Sequence, residues 1–195
     1  SLISAALFGC AIPTGAGIVL KQLKPKKKDI VIVIGLGGVG LSSIMALKAL
    51  GIKKIIALDI NNKKLLLAKK IGATHLFKSS DKDIKKKIFS LTNNFGADFC
   101  IDSAGLTSTI ELGFSLINKT GKLIFASHPP DKDYINLKPH ELIKGKRIEG
   151  SWGGQIIPDK DIKKIFYLFE KKNIKYNLIA SKPYLLKNIN KAIKD

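Results

Sequence analysis

The residues whose types and spacing could do chemistry are a glycine cluster and one acid. Gly35, Leu36, Gly37, Gly38, Val39 and Gly40 form the pattern G-x-G-x-x-G, and Asp59 follows nineteen residues after Gly40. Alone the pattern is weak, because glycines recur in turns. Here the β-branched run Asp29 to Ile34 leads into it and a helix-forming stretch, Leu41 to Leu50, leads away. In that setting each glycine has a task. Gly35 permits a tight turn out of the strand, Gly37 lets a diphosphate approach the backbone, and Gly40 lets the helix lie close on the strand. The free N–H groups of the helix's first turn and its dipole favour the phosphate charge. A carboxylate at Asp59, closing the next strand, can accept from both hydroxyls of an adenosine ribose, each bond contributing about 1.5–3 kcal/mol. The same charge repels a 2′-phosphate, so the sequence predicts NAD in preference to NADP. Lys63 and Lys64, a short step beyond, soften that preference or grip the ribose.

These residues need strands and helices in strict alternation to hold them. Lys54 to Leu58 is read as strand, Lys63 to Ile71 as helix closed by Gly72, and His75 to Phe77 as a short strand. Asp81 to Leu91 carries Ile84, Ile88 and Leu91 at helical spacing. Phe99 to Ile101 reads as strand and Thr107 to Ile117 as helix, and a turn at Asn118 to Gly121 opens the strand Lys122 to Ala126. Pro139 to Lys144 is a short helix and Arg147 to Trp152 a last strand. Ile162, Ile165, Phe166 and Phe169 stripe a long helix from Asp159, and Leu186 to Ile193 forms one more short helix. Connections this short demand parallel strands and right-handed crossovers. The fold expected is α/β: a Rossmann-type doubly wound sheet of about six parallel strands with helices on both faces.

Composition narrows the partners. The net charge is +19, yet Arg147 is the only arginine among 34 basic residues. Readers of phosphate and base edges lean on the bidentate arginine fork, so scattered lysines describe a solvated surface and not a nucleic-acid binder. Cys10 and Cys100 are the two cysteines, too few for a disulfide framework or a self-contained zinc finger, and they fit a reducing cytoplasm. Leu2 to Leu20 is an uncharged run approaching membrane-span length, but Pro13, Gly15 and Gly17 interrupt it and no basic stretch precedes it. No membrane span is expected. A chain opening at Ser1 is expected to be a piece of something longer.

Three stretches resemble the zinc-containing alcohol dehydrogenases of the medium-chain dehydrogenase/reductase superfamily. They are Phe8 to Gly17; Val33 to Gly40 with Leu58 to Asn61 and Ile71 to Thr74; and Gly96 to Asp98 with Asp102 to Gly105, Gly121-Lys122 and Gly150 to Gly154. The resemblance implies that Cys10 is a ligand of the catalytic zinc in the full-length enzyme, and that Thr14 and Val39 lie beside the nicotinamide ring. It implies that Gly35 to Gly40 hold the diphosphate, Asp59 the ribose and Lys64 the adenosine edge. Ser103, Ala104, Ala126, Ser127 and His128 are implied to line the nicotinamide side. The strand around Ile148 to Trp152 is implied to join two subunits into a homo-oligomer. By the same resemblance, residues 1–20 are a junction that packs on a catalytic domain outside this sequence, 21–175 the NAD-binding domain, and 176–195 a segment leading back. The family's other zinc ligands and its four-cysteine structural zinc lobe are absent here, so the chain alone is expected to be inactive.

The function so implied is to hold NAD for hydride transfer between an alcohol or aldehyde and the cofactor. A zinc-free quinone reductase is the enzymatic alternative, opposed by Cys10 and Asp59. A non-catalytic dinucleotide-binding module and a methyltransferase are the others, the latter opposed by Gly40. His75 and His140 read as structural or solvent-facing, Cys100 as core packing, Asp102 as a strand-end turn residue or else an acceptor supporting the site from behind, and Trp152 as interface or core.

Overall fold

The structure, a computed structural model, describes residues 2–180 and 184–194. The uncharged N-terminal run breaks into α1 (Leu2–Leu7), α2 (Ala11–Gly17) and a π-helical turn, Ile18–Leu23. Then strand and helix alternate: β1 (Ile30–Ile34), α3 (Gly38–Ala49), β2 (Lys54–Asp59), α4 (Asn62–Ile71), β3 (His75–Lys78), α5 (Ile84–Leu91) and β4 (Ala97–Asp102). The second half continues with α6 (Thr107–Leu116), β5 (Ile117–Phe125), α7 (Pro139–Ile143), β6 (Arg147–Gly150), α8 (Pro158–Lys171) and α9 (Ile189–Lys194). All six strands are parallel, in the order β3-β2-β1-β4-β5-β6. This is the doubly wound sheet the sequence predicts, with its direction of winding reversed between β1 and β4.

Both faces of the sheet are covered, which explains the unbroken apolar strands. Val31 and Val33 pack into a core shared with α2, α3 and α8, whereas Ile32 and Ile34 pack with Ile84, Ile88, Ile110 and Phe114 of α5 and α6. The expected division at residue 20 leaves α2 inside the first core. Ile12, Ala16, Ile18 and Val19 are fully buried. They reach it because α2 crosses α3 closely at Gly15, where a Cβ would stand 2.3 Å from the Val39 carbonyl oxygen.

Three boundaries move for physical reasons. α3 begins at Gly38, so half of the glycine cluster is the helix's first turn. β5 begins at Ile117, because that residue pairs with Ala97 before a register shift and the expected turn is absorbed as a bulge. β6 stops at Gly150, where the chain turns through Gly153 and Gly154 at φ +59° and +67°. No helix among the described residues is long and apolar enough to cross a membrane.

Candidate dinucleotide site

The glycine loop lies at the carboxyl ends of the strands, where the winding reverses. Ile34 stands between Leu58 of β2 and Asp102 of β4. Gly35 then turns with φ +82°, a conformation that costs a side-chain-bearing residue far more than glycine. The turn is locked from three sides. The Gly35 N–H donates to the Leu58 carbonyl at 3.0 Å, and the Ser103 hydroxyl donates to the Gly35 carbonyl at 2.7 Å. A Cβ at Gly40 would stand 1.9 Å from that same carbonyl oxygen. Gly37 is the N-cap of α3, and no side chain caps the helix there. A Cβ built on Gly37 meets nothing within 4 Å. Open space therefore lies against uncapped first-turn amides, the arrangement that receives an anion.

Asp59 closes β2 with only 7% of its surface exposed. Its carboxylate accepts from the Leu36 N–H at 2.7 Å and from the Asn61 N–H at 2.8 Å. It thus shapes the glycine loop as well as facing the site. Two carboxylate oxygens offer about four acceptor positions, so lone pairs remain for ribose hydroxyls. Asn61 in turn caps α4 by accepting from the Lys63 and Lys64 N–H groups, which fixes where Lys64 leaves the backbone.

One cleft of about 220 Å³ gathers Gly35, Leu36, Gly37, Asp59, Lys64, Ser103 and Ala104. Ser103 and Ala104, expected on the nicotinamide side, line the same cleft as Asp59. They share its cleft because β4 adjoins β1 in the sheet, and the Ser103 hydroxyl is spent on the loop. Ile60, Ser79, Leu106 and Thr109 also line this cleft, and sequence reasoning missed them. The one signal available was an isoleucine directly after the acid, left 72% exposed.

The remaining expected residues lie outside that cleft. Gly38, Val39 and Gly40 form the first turn of α3. Thr14 sits in α2, its N–H bonded to the Cys10 carbonyl at 3.0 Å. Ala126 extends the β5 pairing by donating to the Asp102 carbonyl at 2.9 Å, and the Ser127 hydroxyl donates to Asp102 Oδ1 at 2.9 Å. His128 meets Trp152 edge to face, ring centroids 5.2 Å apart. Trp152 is 84% exposed, so within this chain it is not core. Burial pushes the Asp102 carboxyl above its ordinary range, and the Cys100 thiol is pushed well up by burial and by Asp102. Cys10 is an exposed free thiol. Among the described residues no group of three or more His, Cys, Asp or Glu could hold a metal ion. This chain's own residues therefore do not fit a complete zinc site. A larger apolar hollow of about 550 Å³, lined by Phe8, Phe166 and Tyr176 among others, lies apart from the glycine loop.

Comparison with known proteins agrees with this geometry. A family model described as zinc-binding dehydrogenase matches residues 38–171. The chain is 31% identical to alcohol dehydrogenase 6 of Peromyscus maniculatus, covering 98% of this chain and 52% of that protein. It is 32% identical to an S-(hydroxymethyl)glutathione dehydrogenase of Saccharomyces cerevisiae, covering 100% of this chain and 52% of that protein. The crystal structure of benzyl alcohol dehydrogenase from Acinetobacter calcoaceticus superposes with a TM-score of 0.94 at 30% identity, over 100% of this chain and 54% of its own. The chain thus spans about half the length of the relatives it matches. It belongs to the zinc-binding dehydrogenase family.

Proposed function

We propose that this chain is the NAD(H)-holding half of a zinc-dependent, alcohol-dehydrogenase-type oxidoreductase. One observation carries the reading: the uncapped amides of α3 and the open face of Gly37 border the same region as the buried Asp59 carboxylate. The diphosphate rests on the first-turn amides of Gly38, Val39 and Gly40. Asp59 accepts from the adenosine ribose, Lys64 lies along its edge, and Ala104 faces the adenosine part. Thr14, Val39, Ala126, Ser127 and His128 stand toward the nicotinamide end. Bound there, NAD supplies the hydride acceptor. The chain's own work is to fix the cofactor's orientation, and orientation accounts for a large part of such rate enhancements.

The substrate in the full-length enzyme is an alcohol or aldehyde, a reading supported by the names of the relatives. Cys10 is one zinc ligand there, and the others come from residues outside this sequence. The exposed start of the N-terminal segment, Ala5, Ala6, Gly9 and Cys10, and residues 176–180 with 184–194 are the sides that meet that catalytic half (residues 1, 181–183 and 195 of the expected segments lie outside the described residues). The apolar hollow at Phe8, Phe166 and Tyr176 suits such a neighbour. The edge strand β6, with Ile148 and the exposed Trp152 just beyond it, joins two copies of the enzyme. That neither Cys10 nor Cys100 is in a disulfide suits the reducing cytoplasm. Calorimetric titration with NADH tests the reading. Saturable binding displaced by ADP-ribose, and NADPH at least tenfold weaker, is expected; absence of binding at millimolar NADH overturns it.

A further inference from the structure

Asp102 is the one described side chain with a fully buried polar atom that has no hydrogen-bond partner: Oδ2. A native chain seldom leaves such an atom unpaired without a use for it. The carboxyl is 0% exposed, and its other oxygen faces two ways. Oδ1 accepts from the Ala104 N–H at 3.3 Å, at the long end of hydrogen-bond range, and from the Ser127 hydroxyl at 2.9 Å. Ala104 belongs to the wall of the Asp59 cleft. Ser127 belongs to the loop after β5, and its neighbour His128 packs on Trp152. The two halves of a doubly wound sheet bind the two nucleotides of a dinucleotide on either side of the reversal. Asp102 sits beside that reversal with a bond to each side.

We infer that Asp102 is a positioning residue that couples the two halves of the cleft, through Ala104 on the adenosine side and Ser127 on the nicotinamide side. A ligand that presses on Ala104 shifts the carboxyl through the Ala104 N–H, and the Ser127 hydroxyl bonded to the same oxygen follows. The loop carrying His128 then reaches the nicotinamide end already set. This rests on the dinucleotide reading of the site.

Trp152 is the only tryptophan, so tryptophan emission reports on the turn after β6 against which His128 of this loop packs. AMP fills the adenosine side without reaching the nicotinamide side and does not quench by energy transfer. Titrating the whole chain with AMP is expected to change Trp152 emission, with a midpoint equal to the calorimetric one. Ser127→Ala is expected to lose the emission change while calorimetry still shows AMP bound. Ser127→Thr, which keeps the hydroxyl, is expected to restore it. AMP binding without any emission change in the parent, or an unaltered change in Ser127→Ala, overturns the coupling. If neither AMP nor NADH binds, the dinucleotide reading itself fails and the coupling with it.

Discussion

Replacing Asp59 by asparagine separates the two tasks this carboxylate performs. The parent side chain accepts from the Leu36 and Asn61 N–H groups at 2.7 and 2.8 Å while almost wholly buried. Asparagine keeps one acceptor and turns an amide toward the other N–H, so one backbone donor loses its partner. Leaving a buried donor unpaired costs about 1–3 kcal/mol. For a chain of this length that lowers Tm by about 2–12 °C. Binding suffers separately, since a ribose hydroxyl then bonds a neutral group. Losing a charge-assisted bond of about 1.5–3 kcal/mol weakens NADH by about tenfold to about a hundredfold. Discrimination against NADPH should narrow at the same time, because the repelling charge is gone. Differential scanning calorimetry and NADH and NADPH titrations on parent and variant read all three effects. An Asp59→Asn protein with parental Tm and parental NADH affinity would refute the reasoning.

Other perturbations follow from the same geometry. Gly40→Ala forces a methyl into the Gly35 carbonyl, 1.9 Å from where it would sit; a loss of about 1–3 kcal/mol is expected in urea unfolding, and an unshifted midpoint contradicts it. Burial raises the Asp102 pKa in the folded chain, so the ionised form is penalised above the folded value and the penalty vanishes below the unfolded one. The Tm of Asp102→Asn relative to the parent should therefore be higher at pH 8 than at pH 4, and a pH-independent difference would count against this. Glu149 is shifted the other way, lowered chiefly by its hydrogen bond from Lys122. Its contribution is present above the unfolded value and disappears as pH falls through the folded one. Lys122→Met should flatten the loss of Tm on acidification below about pH 4.5, and an unchanged slope contradicts the assignment.

Much of the scaffold could be read along the chain because its signals are local. Ile30 to Ile34 is β-branched throughout since both its faces are covered, and Asn61 and Gly72 cap α4 by their own chemistry. The glycine loop and Asp59 were legible because each glycine answers a backbone need a few residues wide. What escaped depends on neighbours distant in sequence. That Ala104 shares a cleft with Asp59 follows from β4 lying against β1, and Thr109 joins it only once α6 is placed. The Asp102–Ser127 bond spans 25 residues and exists because β5 pairs with β4. The π-helical turn at Ile18–Leu23 has no residue signature, yet it aims Gln22 at Glu149 and Ser151. Trp152 read as core or interface, and only the folded chain, which leaves it 84% exposed, removes the core half of that reading.

A crystal structure of the chain grown with NADH tests the central claim most directly. Phosphate oxygens are expected within hydrogen-bond distance of the Gly38 and Val39 amides, and both ribose hydroxyls on Asp59. A dinucleotide seated elsewhere, or no density beside Gly37 in crystals saturated with NADH, would contradict it.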